Sequence, residues 1–89
     1  PDANDRRAPQ PTPIRLGAIY DLSGRQSGLD RPSADGALLA ARQLAARGGL
    51  LGRPLELTIA DGRSEPQEVA AQTARLIDAG AVALLGLSD

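Results

Sequence analysis

The nine residues Ile14–Leu22, IRLGAIYDL, decide the fold that this sequence predicts. Nearly every position is apolar and two are β-branched, which is typical of a strand covered on both faces, as in the middle of a parallel sheet. A second such run, AVALLGL, occupies Ala81–Leu87. Between them, Leu55–Ala60 (LELTIA) alternates apolar with more polar positions. That alternation favours a strand at the edge of the sheet, where one face is wetter.

A loop and then a helix are predicted after the first strand. The loop runs from Ser23 to Arg31 (SGRQSGLDR), and its glycines suit unusual backbone angles. The helix is expected to begin at Pro32 or Ser33, because proline suits a first turn and a serine side chain can cap. It is expected to end at Arg47, before a glycine pair.

A second helix is predicted from about Ser64 to Asp78. Ser64 and Gln67 have the spacing of a capping box, in which each side chain bonds a backbone N–H of the first turn. Gly17 and Gly36 are expected to allow close packing between helix and strand.

The elements follow the order β-α-β-α-β, which predicts an α/β fold with a doubly wound parallel sheet. The two apolar strands belong in the middle and the alternating one at the edge, so the spatial order is 2-1-3. The apolar third strand needs further strands beside it, and residues 14–89 are therefore expected to be an incomplete domain. Residues 1–13 are polar, contain four prolines and are expected to form a disordered leader.

Composition excludes several classes of function. There is no Cys and no His, so disulfides, thiolate catalysis and the commonest zinc ligand and general base are all missing. The net charge of −1 gives no field that would attract nucleic acid. We therefore expect no catalytic residue, no metal, no cofactor and no nucleic-acid partner.

The ligand site of a sheet with this order lies in the crevice at the carboxyl ends of its first and third strands. The first helix is expected to point its N-terminus there. Its free backbone N–H groups and its dipole would favour a carboxylate or another anion.

A series of short motifs carries a family resemblance. The motifs are Leu22-Ser23-Gly24, Asp35-Gly36-Ala37 and GGLLGRPLEL (residues 48–57), followed by Asp61, Ser64, Pro66 and Gly86. In this order and over residues 14–89 the chain resembles the type I periplasmic solute-binding proteins, specifically the branched-chain amino-acid and amide binding proteins of ABC transporters.

The resemblance implies a two-lobed clamshell, with residues 14–89 forming the N-terminal portion of ligand-binding lobe 1. It also implies a periplasmic or extracellular protein, exported by a signal peptide, that binds an amino acid, an amide or a similar small metabolite. The partner would be a membrane permease. In the family, lobe-one contacts come from the loop after strand 1 and from small hydroxyl residues after strand 3. The matching ligand-binding positions are Ser23, Gln26, Ser27, Leu29, Asp30, Ser88 and Asp89.

Three positions depart from the family pattern. Asp21 stands where a proline or small residue is common, Asp30 replaces a frequent glycine and Arg25 replaces a frequent proline. These departures allow a more polar or differently charged solute. Asp21 has two interpretations, which are a contact to a cationic ligand group and a surface ion pair with Arg25 or Arg31.

Other functions remain open on the sequence. The same lobe serves as the ligand sensor of regulators and receptors, and only flanking segments would tell these apart. A Rossmann-like nucleotide-binding enzyme needs G-x-G-x-x-G or a P-loop after the first strand, where the chain reads SGRQSG from Ser23. A response regulator would need a phospho-accepting aspartate at the end of the third strand. Both enzyme-like alternatives therefore rank low.

Overall fold

The computed structural model describes residues 12–86. Most of the predicted leader, together with the predicted ligand residues Ser88 and Asp89, lies outside the described residues. Five elements follow in the predicted order: β1 (Ile14–Tyr20), α1 (Ser27–Ala46), β2 (Leu55–Asp61), α2 (Pro66–Asp78) and β3 (Ala83–Gly86).

The sheet has the predicted spatial order, β2-β1-β3. β1 lies in the middle and is parallel to both neighbours, with Ile14 opposite Leu55 and Leu16 opposite Ala83. The α/β class, the parallel sheet and the edge position of β2 are therefore confirmed. β3 forms the other edge of the described sheet, and all four of its residues are exposed.

The two helices cover opposite faces of the sheet. Ala18 and Tyr20 of β1 pack with Ala34 of α1 on one face. Gly17 of β1 faces Leu76 of α2 on the other face, because successive side chains of a strand point to opposite sides. The loops that leave β1 and β2 consequently start at the same edge of the sheet and lead to helices on opposite faces.

The core is thin. Among residues 12–86, the buried apolar residues are Ala18, Ile19, Tyr20, Ala34 and Leu76. Tyr20 thus belongs to the core, as the sequence predicts. The chain has no Phe, Trp or Met, so Ala and Leu supply most of the apolar area. Large apolar side chains that remain exposed are Leu29, Leu39, Leu50, Leu51, Ile77, Val82, Leu84 and Leu85.

Helix α1 begins five residues earlier than the Pro32 start that the sequence predicts. Its first residue is Ser27, and Ser33 is an exposed residue of the helix interior with no capping role. The early start has a tertiary cause. The Asp30 side chain is fully buried, and its Oδ2 accepts a hydrogen bond of 2.8 Å from the backbone N–H of Asp21. That bond holds the first turn against the end of β1 and outweighs the local signal of Pro32.

Helix α2 begins at Pro66, a favourable residue for a first helical position. The predicted capping box is wrong. The residue before the helix is Glu65, and no side chain caps the N-terminus. Ser64 has a left-handed backbone with φ of 56° and belongs to the loop. Ile77, which the helical pattern places on the buried face, is 55% exposed.

Gly17 allows α2 to pack directly on the backbone of β1. A Cβ atom at this position would lie 2.9 Å from Leu76 Cδ1 and 2.9 Å from Leu84 Cδ2. The expectation of close packing is confirmed at Gly17 and wrong at Gly36, where a Cβ atom would meet nothing within 4 Å.

The pair gives a matched test of packing. We expect Gly17→Ala to lower the free energy of unfolding by about 1–3 kcal/mol, because the added methyl overfills the interface. Gly36→Ala is expected to raise it by about 0.5–1 kcal/mol, because alanine favours a helix interior. Urea unfolding followed by circular dichroism measures both. A Gly17→Ala variant as stable as the Gly36→Ala variant would contradict this account of the interface.

Candidate functional site

Two loops meet at the carboxyl edge of the sheet. The β1–α1 loop comprises residues 21–26, and the β2–α2 loop comprises residues 62–65. They start side by side because Tyr20 pairs with Asp61 at the ends of β1 and β2. A Cβ atom on Gly24, whose φ is 83°, would lie 2.8 Å from the carbonyl oxygen of Arg63. The backbones of the two loops are therefore in direct contact.

Asp61 is the hydrogen-bonding centre of these loops. Its Oδ1 accepts the N–H of Leu22 at 3.0 Å and the N–H of Arg63 at 2.7 Å. Its Oδ2 accepts the hydroxyl of Ser23 at 2.7 Å. One carboxylate thus fixes the end of β1 and the turn after β2 relative to each other.

The pKa of the Asp61 carboxyl lies below its ordinary value of 3.8. Desolvation by burial acts to raise the pKa, but the hydrogen bonds from Ser23, Arg63 and Leu22 to the charged form outweigh it. Because the pKa in the folded state is the lower one, Asp61 contributes stability above its unfolded pKa. That contribution is lost as the pH falls through the folded pKa.

We expect Asp61→Asn to lower the free energy of unfolding by about 1–3 kcal/mol at neutral pH, because an amide satisfies fewer of the three donors. The difference from the wild type should shrink as the pH falls below 3.8 and through the lowered pKa, because the wild-type carboxylate is itself then protonated. Denaturant unfolding at several pH values measures this. Asp35→Asn, an exposed change on α1, is the control and should shift stability by less than about 0.5 kcal/mol. A loss at Asp61 that is independent of pH would contradict the charged role.

Ser64 forms a second link between the loops. Its hydroxyl oxygen accepts the N–H of Gln26 at 2.8 Å, and the hydroxyl donates to the carbonyl of Ser23 at 3.1 Å. Arg63 and Ser64 both have φ of 56°, a conformation that costs a residue with a side chain about 1–2 kcal/mol. The hydrogen bonds of Asp61 and Ser64 hold this strained turn in place.

Removal of the Ser64 hydroxyl should uncouple the loops. We expect Ser64→Ala to lower the free energy of unfolding by about 1–3 kcal/mol, because the N–H of Gln26 loses its acceptor. Ser33→Ala is expected to change it by less than about 0.5 kcal/mol, since Ser33 is an exposed helix residue. Thermal unfolding compares the two variants directly. Equal losses of stability in both variants would show that the hydroxyl of Ser64 does not stabilise the loops.

The predicted ligand residues that the structure describes lie together at one end of the fold. The elements to which some of them belong differ from the prediction. Ser23 and Gln26 lie in the β1–α1 loop, whereas Ser27, Leu29 and Asp30 belong to the first turn of α1. Leu29 is 63% exposed, while Asp30 is fully buried and anchors the loop. Contact of these residues with a ligand stays a prediction.

The expected free N–H groups at the start of α1 are largely occupied. The N–H of Gln26 donates to Ser64, and that of Ser27 donates to the carbonyl of Gly24. The N–H groups of Leu29 and Asp30 both donate to the carbonyl of Gln26. These N–H groups are thus used in bonds within and between the two loops. The start of α1 therefore offers an anion fewer donors than the sequence suggested.

A groove of about 350 Å³ opens between the two loops and the first turn of α2. Asp21 lines the groove and is 4% exposed, and its Oδ1 is buried with no hydrogen-bond partner among residues 12–86. Across residues 12–86, no ion pair involves Asp21. The predicted pairing with Arg25 or Arg31 is therefore absent from the structure. The groove is lined by Asp21, Arg25, Gln26, Ser64, Glu65, Pro66 and Val69.

Sequence reasoning missed the importance of Asp61 and misassigned Ser64. A carboxylate at the carboxyl end of a parallel strand was the available signal for Asp61, because the loops that carry ligand sites meet at that edge of the sheet. Within residues 12–86, no group of three metal-ligating side chains is present, and no helix is long and apolar enough to cross a membrane.

Comparison with known proteins identifies the family. A family model described as periplasmic binding protein matches residues 13–89. The chain belongs to this family. A search of curated proteins finds no match.

Two solved structures share the fold. One is LivJ of Streptococcus pneumoniae, the substrate-binding protein of a branched-chain amino acid transporter, in complex with isoleucine. It superposes with a TM-score of 0.83 at 28% identity, over 86% of this chain and 22% of LivJ. The other is a protein from Silicibacter pomeroyi provisionally described as a branched-chain amino acid ABC transporter. Its TM-score is 0.77 at 36% identity, over 83% of this chain and 19% of that protein.

This periplasmic binding protein chain therefore spans about a fifth of each solved structure. The match confirms the resemblance and the lobe fold that the sequence predicts. Both the family and the LivJ structure are those of binding proteins, which fits the expectation that the chain is not an enzyme.

Proposed function

We propose that this chain is part of the first lobe of an exported solute-binding protein that serves an ABC transporter. It would take up an amino acid, an amide or a similar small metabolite in the cleft between two lobes. The observation that carries the proposal is the superposition on LivJ, which holds isoleucine, with a TM-score of 0.83. The family match over residues 13–89 supports the same function.

The carboxyl edge of the sheet is suited to such a ligand. Leu29 presents an exposed apolar side chain at the start of α1, beside the polar side chains of Ser23, Gln26 and Ser27. Small-solute sites combine apolar surface with a few placed polar groups in this way. Asp30 contributes by positioning, since its buried carboxylate holds the turn that carries Leu29.

The hydrogen bonds of the two loops supply the rigidity that binding requires. A preformed loop loses little conformational freedom when the solute arrives, which raises affinity. In this proposal the second lobe closes over the carboxyl edge, excludes water and makes the remaining contacts. The closed protein would then deliver its solute to the membrane permease, and Ser88 and Asp89 would complete the first-lobe side of the cleft.

A ligand screen on the full-length protein tests this function. We expect a thermal upshift with one class among branched-chain amino acids, amides and aromatic acids. A solute at a hundred times its dissociation constant adds about 2.7 kcal/mol to stability. Calorimetric titration of the responding solute then gives its affinity. Upshifts with nucleotides alone would contradict the proposal and favour a nucleotide-binding enzyme.

Leu29 provides the sharper test, because another exposed leucine of α1 serves as a control. We expect Leu29→Ala to weaken binding of the responding solute about 5- to 20-fold, since it removes apolar area that the solute would cover. Leu39→Ala, a change at a leucine that is 56% exposed, should leave affinity unchanged. Both variants should unfold like the wild type. Equal affinities for the two variants would remove Leu29 from the site.

A further inference from the structure

The groove at the base of the two loops, called the Asp21 groove here, lies apart from the exposed Leu29. Its walls are the β1–α1 loop on one side and Glu65 with the first turn of α2 on the other. Gln26 lines it and also belongs to the predicted ligand-binding residues. The groove therefore adjoins the proposed solute site without coinciding with it.

The side chain of Asp21 is buried and lines the groove. The residue is 4% exposed, and its Oδ1 lies against Gly62, where a Cβ atom would come within 2.6 Å. Over residues 12–86 the side chain makes neither a hydrogen bond nor an ion pair. A charged group removed from water without a partner is strongly unfavourable, so buried carboxylates are normally paired.

The charges that line the groove favour a cation. Asp21 and Glu65 contribute two carboxylates, and Arg25 contributes one guanidinium. Arg25 is exposed and does not form an ion pair with Asp21 in the described part of the chain. Asp30 lies close behind, because its carboxylate accepts the N–H of Asp21. The surroundings of Asp21 are consequently acidic on balance, and they favour a cation over a carboxylate or phosphate as the occupant.

We infer that the Asp21 groove binds an ammonium or guanidinium group on the side chain of an organic solute, with Asp21 as its counter-ion. The inference rests on the proposed function and narrows the solute to one whose side chain carries a positive charge. A charge-assisted hydrogen bond to a buried carboxylate is stronger than one between neutral groups. Gln26 belongs to both the groove and the proposed solute site. It would contact the middle part of the solute, between the charged group and the opposite end.

The test is calorimetric titration of the full-length protein with matched pairs of probes. The cationic probes, whose side chains carry a positive charge, are L-ornithine, L-lysine and L-arginine. Their neutral counterparts, which share the α-ammonium and α-carboxylate but have uncharged side chains, are L-norvaline, L-norleucine and L-citrulline. We expect at least one cationic probe to bind about tenfold or more tightly than its counterpart. Asp21→Asn should abolish that preference and leave the affinity for the neutral probe within about twofold. Asp78→Asn, a change at an exposed residue at the far end of α2, should preserve the preference.

The outcomes separate this inference from the proposed function. Neutral probes that bind without any preference for their cationic counterparts would overturn the inference alone. Failure of every probe and of the wider solute screen would overturn both. A preference that appears only in Arg25→Gln would show that Arg25 occupies Asp21 in solution, which also overturns the inference. Stabilisation by potassium or ammonium chloride that Asp21→Asn removes, without a preference for cationic solutes, would assign the groove to an inorganic cation instead.

Discussion

The carboxylate of Asp61 is the contact on which the arrangement of the carboxyl edge depends. β1 and β2 bring two loops to the same level, and sheet pairing ends there, because Tyr20 and Asp61 are the last paired residues. Beyond that point the backbone donors of both loops need other acceptors. Asp61 supplies them for Leu22 and Arg63 and also binds the hydroxyl of Ser23. The order of the sheet is thereby extended into loops that have no regular structure of their own.

The patterns of apolar and polar residues along the strands were sufficient to predict the fold. The apolar run at Ile14 and the alternation at Leu55 placed β1 in the middle and β2 at the edge, as found. These signals are strong because a parallel sheet leaves few alternatives for an apolar strand. Helix ends were harder. The signals of Pro32 and Ser33 are local, whereas α1 starts at Ser27 because the buried Asp30 binds the end of β1. No spacing rule reveals such a contact before the topology is known.

The candidate site was predictable in its place and only partly in its chemistry. Strand order located it at the carboxyl edge, and family resemblance selected residues that do meet there. The sequence did not show that Ser64 bonds the opposite loop, because a serine three residues after the strand end resembles a helix cap. Nor did it show that Asp21 would be buried without a partner in the described part of the chain, since two arginines follow it closely in the sequence. In both cases the contacts of the side chain depend on the conformation of the loop backbone, which the local sequence pattern does not specify.

Pro32 has a mechanical consequence for the edge that a solute would meet. A proline has no N–H, so the carbonyl of Gly28 loses its helical donor one turn after α1 begins. The first turn is thus joined weakly to the body of its own helix, while Asp30 joins it firmly to β1. Leu29 lies on the first-turn side of this joint, next to the residue that binds β1. The surface that the first turn carries is therefore positioned on the sheet through Asp30.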